Sequence, residues 1–224
     1  FPGRLRAVDE VEGVERVRFV TSHPKDLSSE LMEAMAELTK ACEHIHLPIQ
    51  SGSDRILRAM RRGYTVEEYM RKVEALRSLI PEVGLTADII VGFPGEGEED
   101  HRATRELLSR VRYDNIFLFK YSPRPGTAAA RLPNRVPPEV AGRRFSELLE
   151  VQKAITLEKN RSLEGRIEEV LVEGESKTRP DRLTGRTRSN RIVNFSGPEG
   201  LVGELVNCRI TRGGLHSLEG ELQN

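Results

Sequence analysis

Between Arg16 and Tyr121 the chain repeats one unit: a short β-rich run, a turn rich in glycine and proline, and an amphipathic helix. Arg16–Thr21 alternates charged with apolar residues as a strand does, and Leu27, Leu31, Met35 and Leu38 then recur at helical spacing. Glu43–Ile49 reads as a second strand, ended by Pro48 and the loop at Gly52. Ile56, Leu57 and Met60 mark a short helix. Thr65 and Glu68 form a capping box that opens a helix burying Tyr69, Val73 and Leu76 and stopping before Pro81. Leu85–Phe93 is the most apolar run, the pattern of a parallel strand covered on both faces. Glu96–Val111 is a helix whose acidic first turn suits the helix dipole, and Asn115–Tyr121 is the last strand. This alternation demands parallel strands joined by right-handed crossovers. Four such strands cannot close an eight-stranded barrel, but they suit the later part of an open one.

Past Tyr121 the texture changes. Pro123, Pro125, Pro133, Pro137 and Pro138 mark a linker, and a long helix follows from about Glu139 to Ser162. Strands then read near Arg166–Glu173, Leu183–Arg188, Arg191–Phe195, Leu201–Thr211 and Leu215–Glu221, a small β-barrel of the oligonucleotide-binding type. The expected division is residues 1–135, a connecting helix over 136–162, and the barrel over 163–224. The 224 residues carry 35 basic and 35 acidic side chains, so net charge argues for no polyanionic partner and only local clustering could. No apolar stretch is long enough to span a bilayer, and two cysteines far apart, Cys42 and Cys208, make no disulfide framework, which fits a cytoplasmic protein. Both cysteines read as small core residues. The chain opens at Phe1 in what reads as a continuing amphipathic helix, the pattern of a truncated piece.

Three loops follow predicted strands, where open α/β sheets bind ligands. In Asp88–Glu96, Gly92 and Gly95 flank Phe93-Pro94, so backbone can approach a ligand closely; an ordinary Gly-Pro turn capped by acids is the plainer reading. Gln50, Ser51, Gly52 and Ser53 offer an amide, hydroxyls and bare backbone, with Ser53 also a helix N-cap. Tyr121–Thr127, with Tyr121 and Pro123, can frame a ring through backbone contacts or serve only as linker. His44 and His46 share one strand face with no third ligand near, so packing or a hydrogen bond explains them better than a metal. Lys177, Arg179, Arg182, Arg186, Arg188 and Arg191, against Asp181 alone, give a local charge of +5 in a neutral chain. With Asn190 they make an RNA-binding hairpin the expected reading, a solvated hairpin the bland one. Only Phe195 is near for base stacking, which points to backbone and shape contacts.

The strings TSHP (Thr21–Pro24), HLPIQSGSDRILRAMRRGYT (His46–Thr65), DIIVGFPGE (Asp88–Glu96), YSPRPGT (Tyr121–Thr127) and GRTRSNRIVNF (Gly185–Phe195) together resemble the tRNA methylthiotransferases, radical S-adenosylmethionine enzymes. The resemblance covers essentially the whole chain, and implies the later part of a radical SAM partial (β/α)6 barrel followed by an all-β TRAM barrel. It implies that S-adenosylmethionine meets Gln50, Ser51, Gly52, Ser53, Asp88, Gly92, Pro94, Gly95, Glu96, Tyr121 and Pro123. It also implies that two 4Fe–4S clusters take part, one generating a 5′-deoxyadenosyl radical and one delivering sulfur. Their cysteine ligands are absent from this chain, so by itself it should be inactive. The implied substrate is the tRNA anticodon stem-loop, methylthiolated at C2 of N6-isopentenyladenosine; Asn190 with Val193-Asn194-Phe195 favours that branch. The threonylcarbamoyladenosine and ribosomal-protein branches, and a stand-alone RNA-binding protein with a degenerate barrel, are the alternatives. The expected protein is a monomer off the membrane, its sulfur donor open. The family usually has Thr where this chain has Gly97.

Overall fold

Alternation of apolar and polar residues along the central strand decides which way the first unit faces. In β2, Gly84–Val91, the side chains of Leu85, Ala87, Ile89 and Val91 are buried while Thr86, Asp88 and Ile90 are only half-buried. The computed structural model describes residues 1–224 except Thr21, Ser22, Thr178, Pro180 and Asn224. Its first unit contains helices α1 (Pro2–Asp9) and α2 (Ser29–Glu37), strand β1 (His44–His46), helices α3 (Asp54–Ala59) and α4 (Val66–Leu79), then β2, α5 (Glu98–Val111) and β3 (Asn115–Lys120). The strands form a parallel sheet in the order β1-β2-β3.

Helices α4 and α5 pack against one face, where Ile45, Leu47, Leu85, Ile89 and Ile116 meet Tyr69 and Val73 of α4 and Leu107, Leu108 and Val111 of α5. The coverage on both faces expected from the apolar run is close only here; the small barrel stands over the other face, across a cavity. The other face presents His44, His46, Thr86, Asp88, Asn115 and Phe117 to a cavity, and Phe117 and Phe119 are each about half exposed. A buried hydroxyl chain ties the helical layer to the sheet: Tyr113 donates to Tyr69 at 2.8 Å, and Tyr69 to the Leu47 carbonyl at 3.0 Å.

The expected strand over residues 16–21 is a single bridge, Val17 to Ala41, in the described residues. Its extension is diverted because Arg16 and Arg18 reach away to the second unit: Arg16 donates to the carbonyls of Arg186 (2.7 Å) and Glu169 (2.8 Å), and Arg18 to Asn190 Oδ1 (2.7 Å). Thr21 and Ser22, the end of that strand and part of the TSHP string, lie outside the described residues.

Helix α6 (Pro138–Arg161) opens on proline, whose missing N–H costs nothing in a first turn, and runs from the sheet to the second unit. There β4 (Ile167–Glu175), β5 (Leu183–Thr187), β6 (Ile192–Ser196), β7 (Leu205–Gly213) and β8 (Leu218–Leu222) close a barrel in the order β4-β5-β6-β8-β7. Its core is Val170, Val172, Leu183, Val193, Phe195, Cys208, Ile210 and Leu218. Closure leaves the small barrel no open edge, as small all-β domains require. Cys42 and Cys208 are both buried and unpaired, as expected. The units meet closely: a Cβ on Gly84 would stand 2.6 Å from the Ser189 carbonyl of the β5–β6 turn, so only glycine lets that turn seat on the sheet.

Candidate functional site

Because the sheet is parallel, the loops after β1, β2 and β3 emerge at the same end. Gln50 donates its N–H to the Asp88 carbonyl at 2.9 Å and accepts from Ile90, while the Tyr121 N–H donates to the Val91 carbonyl at 2.8 Å. Gln50 holds a left-handed φ of 74°, a conformation costly for a residue with a Cβ. The three loops are thus brought together as expected, and they are cross-braced. Arg55 of α3 donates to the Gly95 carbonyl at 2.7 Å and pairs with Asp100 of α5. Burial raises the Asp100 carboxyl, but Arg55, Ser53 and the Gly97 N–H outweigh it and hold it below the usual carboxylate value.

Several predicted ligand contacts turn inward instead. Ser51, Gly52 and Ser53 are buried against α5: the Gly52 N–H donates to Thr104 Oγ1 at 2.9 Å, and a Cβ there would stand 2.5 Å from Thr104 Cα. Ser53 caps α3 and donates to Asp100 Oδ1 at 2.6 Å. Glu96 accepts the Gly92 N–H at 3.1 Å and pairs at 2.7 Å with Arg144 of α6, both side chains only 4 % exposed. Burial pushes the Glu96 carboxyl above its ordinary value, against the pull of the Gly92 N–H and Arg144. These residues build the loop end. Gly95 donates its N–H to the Asn134 carbonyl at 2.8 Å, Pro94 is buried and Pro123 exposed. The Asp88 side chain lies on the cavity face beside His46, at 3.4 Å, rather than with Gln50.

What stays open at the strand ends is a cavity of about 370 Å³ walled by Gln50, Ile90, Phe93, the Ala59–Arg62 end of α3 and Thr127–Ala129. Its lining joins apolar surface to one amide and two guanidiniums. On this wall Arg62 donates through Nε to Tyr64 Oη at 3.0 Å, while its buried Nη2 has no partner among the described residues. The Tyr121 hydroxyl, whose ring stands edge-on to Phe93 at 5.2 Å, is likewise buried without a partner there. Of the two, only Arg62 belongs to a residue of the cavity wall; Gln50, Arg61 and Arg62 are the polar side chains that a ligand there would meet. Arg62 was not singled out by sequence reasoning; its place in the RAMRR run at the end of α3 was the available signal.

A larger cavity, about 590 Å³, lies between the sheet and the small barrel, walled by His44, His46, Asp88, Asp114, Phe117, Arg186, Asn190 and Arg191 among others. There the histidines hydrogen-bond rather than gather a metal set: His46 Nδ1 lies 3.0 Å from Thr86 Oγ1, and among the described residues no group of three or more His, Cys, Asp or Glu could hold an ion. Burial, with the neighbouring Arg18 guanidinium, lowers the His44 imidazole to about 4.

The basic hairpin is redistributed in the same way. Arg188 pairs with Glu43 at 2.7 Å and donates to the carbonyls of Thr39 (3.0 Å) and Ala41 (2.7 Å). Arg191 pairs with Asp114 and donates to Asn160 Oδ1 at 3.2 Å; Asn190 receives Arg18. The expected row of cations projecting from one face is therefore corrected for Arg188 and Arg191, which fasten the two units because acids from the first unit face them. Arg186 pairs with Glu173 at 3.2 Å and Arg182 with Glu219 at 3.3 Å. Arg179, near Glu219 at 3.9 Å, is half exposed, and Lys177 is exposed. Phe195 is fully buried, so no aromatic of this hairpin is free to stack.

Comparison with known proteins adds three findings. Residues 3–108 match the radical SAM superfamily and residues 161–223 the TRAM domain. The tRNA-2-methylthio-N(6)-dimethylallyladenosine synthase of Carboxydothermus hydrogenoformans is 53% identical over 99% of this chain and 50% of its own length. That of Syntrophus aciditrophicus is 51% identical over 99% of this chain and 48% of its own length. The chain spans about half the length of the curated relatives it matches.

Proposed function

We infer that this chain, a homologue of the tRNA methylthiotransferases carrying a radical SAM segment and a TRAM domain, serves in such an enzyme as the S-adenosylmethionine-facing end of the sheet and the RNA-binding barrel. The reaction read for the whole enzyme is methylthiolation at C2 of N6-isopentenyladenosine beside the tRNA anticodon. The observation that carries the reading is geometric. Three separately coded loops, at Gln50, Gly92–Glu96 and Tyr121, converge on one end of one parallel sheet, beside a cavity walled by Gln50, Phe93 and Thr127–Ala129.

The cavity fits S-adenosylmethionine in kind, with Ile90 and Phe93 for a ring and Gln50, Arg61 and Arg62 for polar groups, while Tyr121 packs behind Phe93. Phe93 alone of the second loop stands on its wall; Gly92, Pro94, Gly95 and Glu96 hold that loop in place, as Ser51, Gly52 and Ser53 hold the first loop on α5. Bound there, the cofactor would supply a 5′-deoxyadenosyl radical, with methionine as the other product, given one electron from a cluster held outside this chain. The chain's own residues orient it: the Arg55–Asp100 pair and the Glu96–Arg144 pair fix the loops around it. The 4Fe–4S clusters do not fit residues of this chain. Cluster ligation needs cysteine thiolates, and Cys42 and Cys208 are buried in separate units. Under this reading the chain alone has no activity, and the clusters are held by residues outside it.

For RNA, Lys177 and Arg179 are the hairpin cations most available to phosphate, with Arg182 and Arg186 partly so. Arg188, Asn190 and Arg191 act on RNA only through the position they give the barrel. The test is made in a protein of the relatives' full length with this chain's sequence in place. Mass spectrometry of tRNA nucleosides should show the 2-methylthio product. Ile90→Arg, filling the cavity, should abolish it while tRNA binding persists. Undiminished product from that variant would contradict the assignment of the cavity.

A further inference from the structure

The strand-end cavity is bordered by two segments that carry arginine and no acid. Arg55–Arg62 (RILRAMRR) forms one lip and residues 121–137 (YSPRPGTAAARLPNRVP) the other, facing across the cavity through Ala59–Arg62 and Thr127–Ala129. Arg55 is paired with Asp100 and Arg62 is turned to Tyr64. The remaining five, Arg58, Arg61, Arg124, Arg131 and Arg135, are exposed, and none has an acidic partner among the described residues. In a chain with as many acids as bases, that is a local separation of charge rather than an overall excess. The second lip holds its cations on ordered backbone: Thr127 Oγ1 donates to the Arg124 carbonyl at 2.8 Å and accepts the Ala130 N–H at 3.3 Å, and Arg135 donates to the Ala130 carbonyl at 3.2 Å. On the small barrel the contrast is complete for Arg182, Arg186, Arg188 and Arg191, each of which faces a carboxylate.

We propose that this arginine rim of the sheet, more than the hairpin of the small barrel, is the surface that grips the RNA sugar-phosphate backbone beside the strand-end cavity. The proposal rests on the reading of the chain as part of an RNA-modifying enzyme. Its physical basis is desolvation and competition. A guanidinium already paired with a carboxylate must lose that partner before it meets a phosphate, whereas an unpaired exposed guanidinium releases condensed counterions directly. The rim also places the grip next to the cofactor site, so a nucleotide at its mouth is held by its own backbone. The rim makes no direct base readout, so its contribution is positional and strongly salt-dependent.

The experiment measures binding of a fluorescently labelled anticodon stem-loop RNA to the 224-residue chain across a salt series. Three proteins are compared: the wild type, the quadruple variant Arg58→Ala, Arg61→Ala, Arg131→Ala, Arg135→Ala, and the double variant Arg186→Ala, Arg188→Ala. Circular dichroism and thermal melting establish that each is folded. The rim variant should weaken binding at least tenfold at low salt and flatten the slope of log affinity on log salt by about two to three. The hairpin variant should change the slope by less than about one. Wild-type binding with an unchanged slope in the rim variant and a flattened one in the hairpin variant would overturn the rim while leaving the RNA reading intact. No measurable wild-type binding even at low salt would overturn the rim together with the RNA reading of this chain. A fourth protein, the double variant Lys177→Ala, Arg179→Ala, flattening the slope as much as the rim variant would also count against it.

Discussion

Asp114 shows how much one side chain can hold. One carboxylate oxygen accepts the Leu85 N–H at 2.8 Å and Lys159 Nζ at 2.7 Å; the other pairs with Arg191 of the small barrel. Strand β2, helix α6 and the second unit therefore share a single buried acid. Asp114→Ala leaves two largely buried cations and a backbone donor without their acceptor, so urea unfolding should show a loss of about 3 kcal/mol. Asp114→Asn, which keeps the acceptor for Leu85, should lose less. A loss below about 0.5 kcal/mol, the level of an ordinary surface change, would deny Asp114 this role. His44 makes a second prediction. Its folded value, near 4, lies below the ordinary 6.5 because of burial and Arg18. The unfolded chain therefore takes up the proton first as pH falls. The stability His44 contributes is complete above pH 6.5 and is lost between 6.5 and about 4. Thermal melting at neutral and acidic pH should fall further in the wild type than in His44→Asn, and parallel profiles would contradict it.

At the scale of elements, the loop after β2 has Gly97 at the N-cap of α5, where the resemblance leads one to expect Thr. Its backbone is extended, with φ −99° and ψ 179°, and a Cβ there would meet only Asp100 Oδ2, at 3.5 Å. Gly97→Thr should fit without strain and stabilise by about 0.5 kcal/mol, chiefly by restricting the unfolded chain. A lowered melting temperature would show that the loop needs glycine. The same local logic explains what could be read from the sequence. The Thr65–Glu68 capping box forms as expected because its partners are three residues apart, with Glu68 Oε2 accepting the Thr65 N–H at 2.7 Å. The five strands of the small barrel were visible for the same reason, through alternation and glycine turns. The destination of the hairpin arginines was not. Arg188 meets Glu43 across 145 positions and Arg191 meets Asp114 across 77, and no local pattern encodes such an encounter. Ser51–Ser53 looked like ligand contacts because small polar residues suit both a ligand and a helix; only the packing of Gly52 on Thr104 separates the two. The apolar run of β2 overstated its burial because Thr86 and Asp88, not its aliphatic residues, face the cavity between units.

Over the whole molecule, arginines exchanged in both directions join the units: Arg16 and Arg18 reach the small barrel, and Arg188 and Arg191 reach the sheet. Arg166 adds a contact to Glu82 at 3.4 Å. The small barrel is thereby set against one face of the sheet, while the strand-end cavity, walled by other residues, stays clear of it. That separation makes the central claim open to direct measurement. S-adenosylmethionine is expected at the carboxyl ends of the strands and not in the larger cavity beneath the small barrel. Titrating the ligand into the nitrogen-labelled chain and following backbone amides by NMR reads this residue by residue. Without a cluster iron to ligate, binding should be weak, at about millimolar ligand. Shifts should be confined to Gln50, Ile90, Phe93, Arg61, Arg62 and Thr127–Ala129. Shifts gathered instead on His44, Asp114, Phe117 and Asn190, or none at saturating ligand, would contradict it.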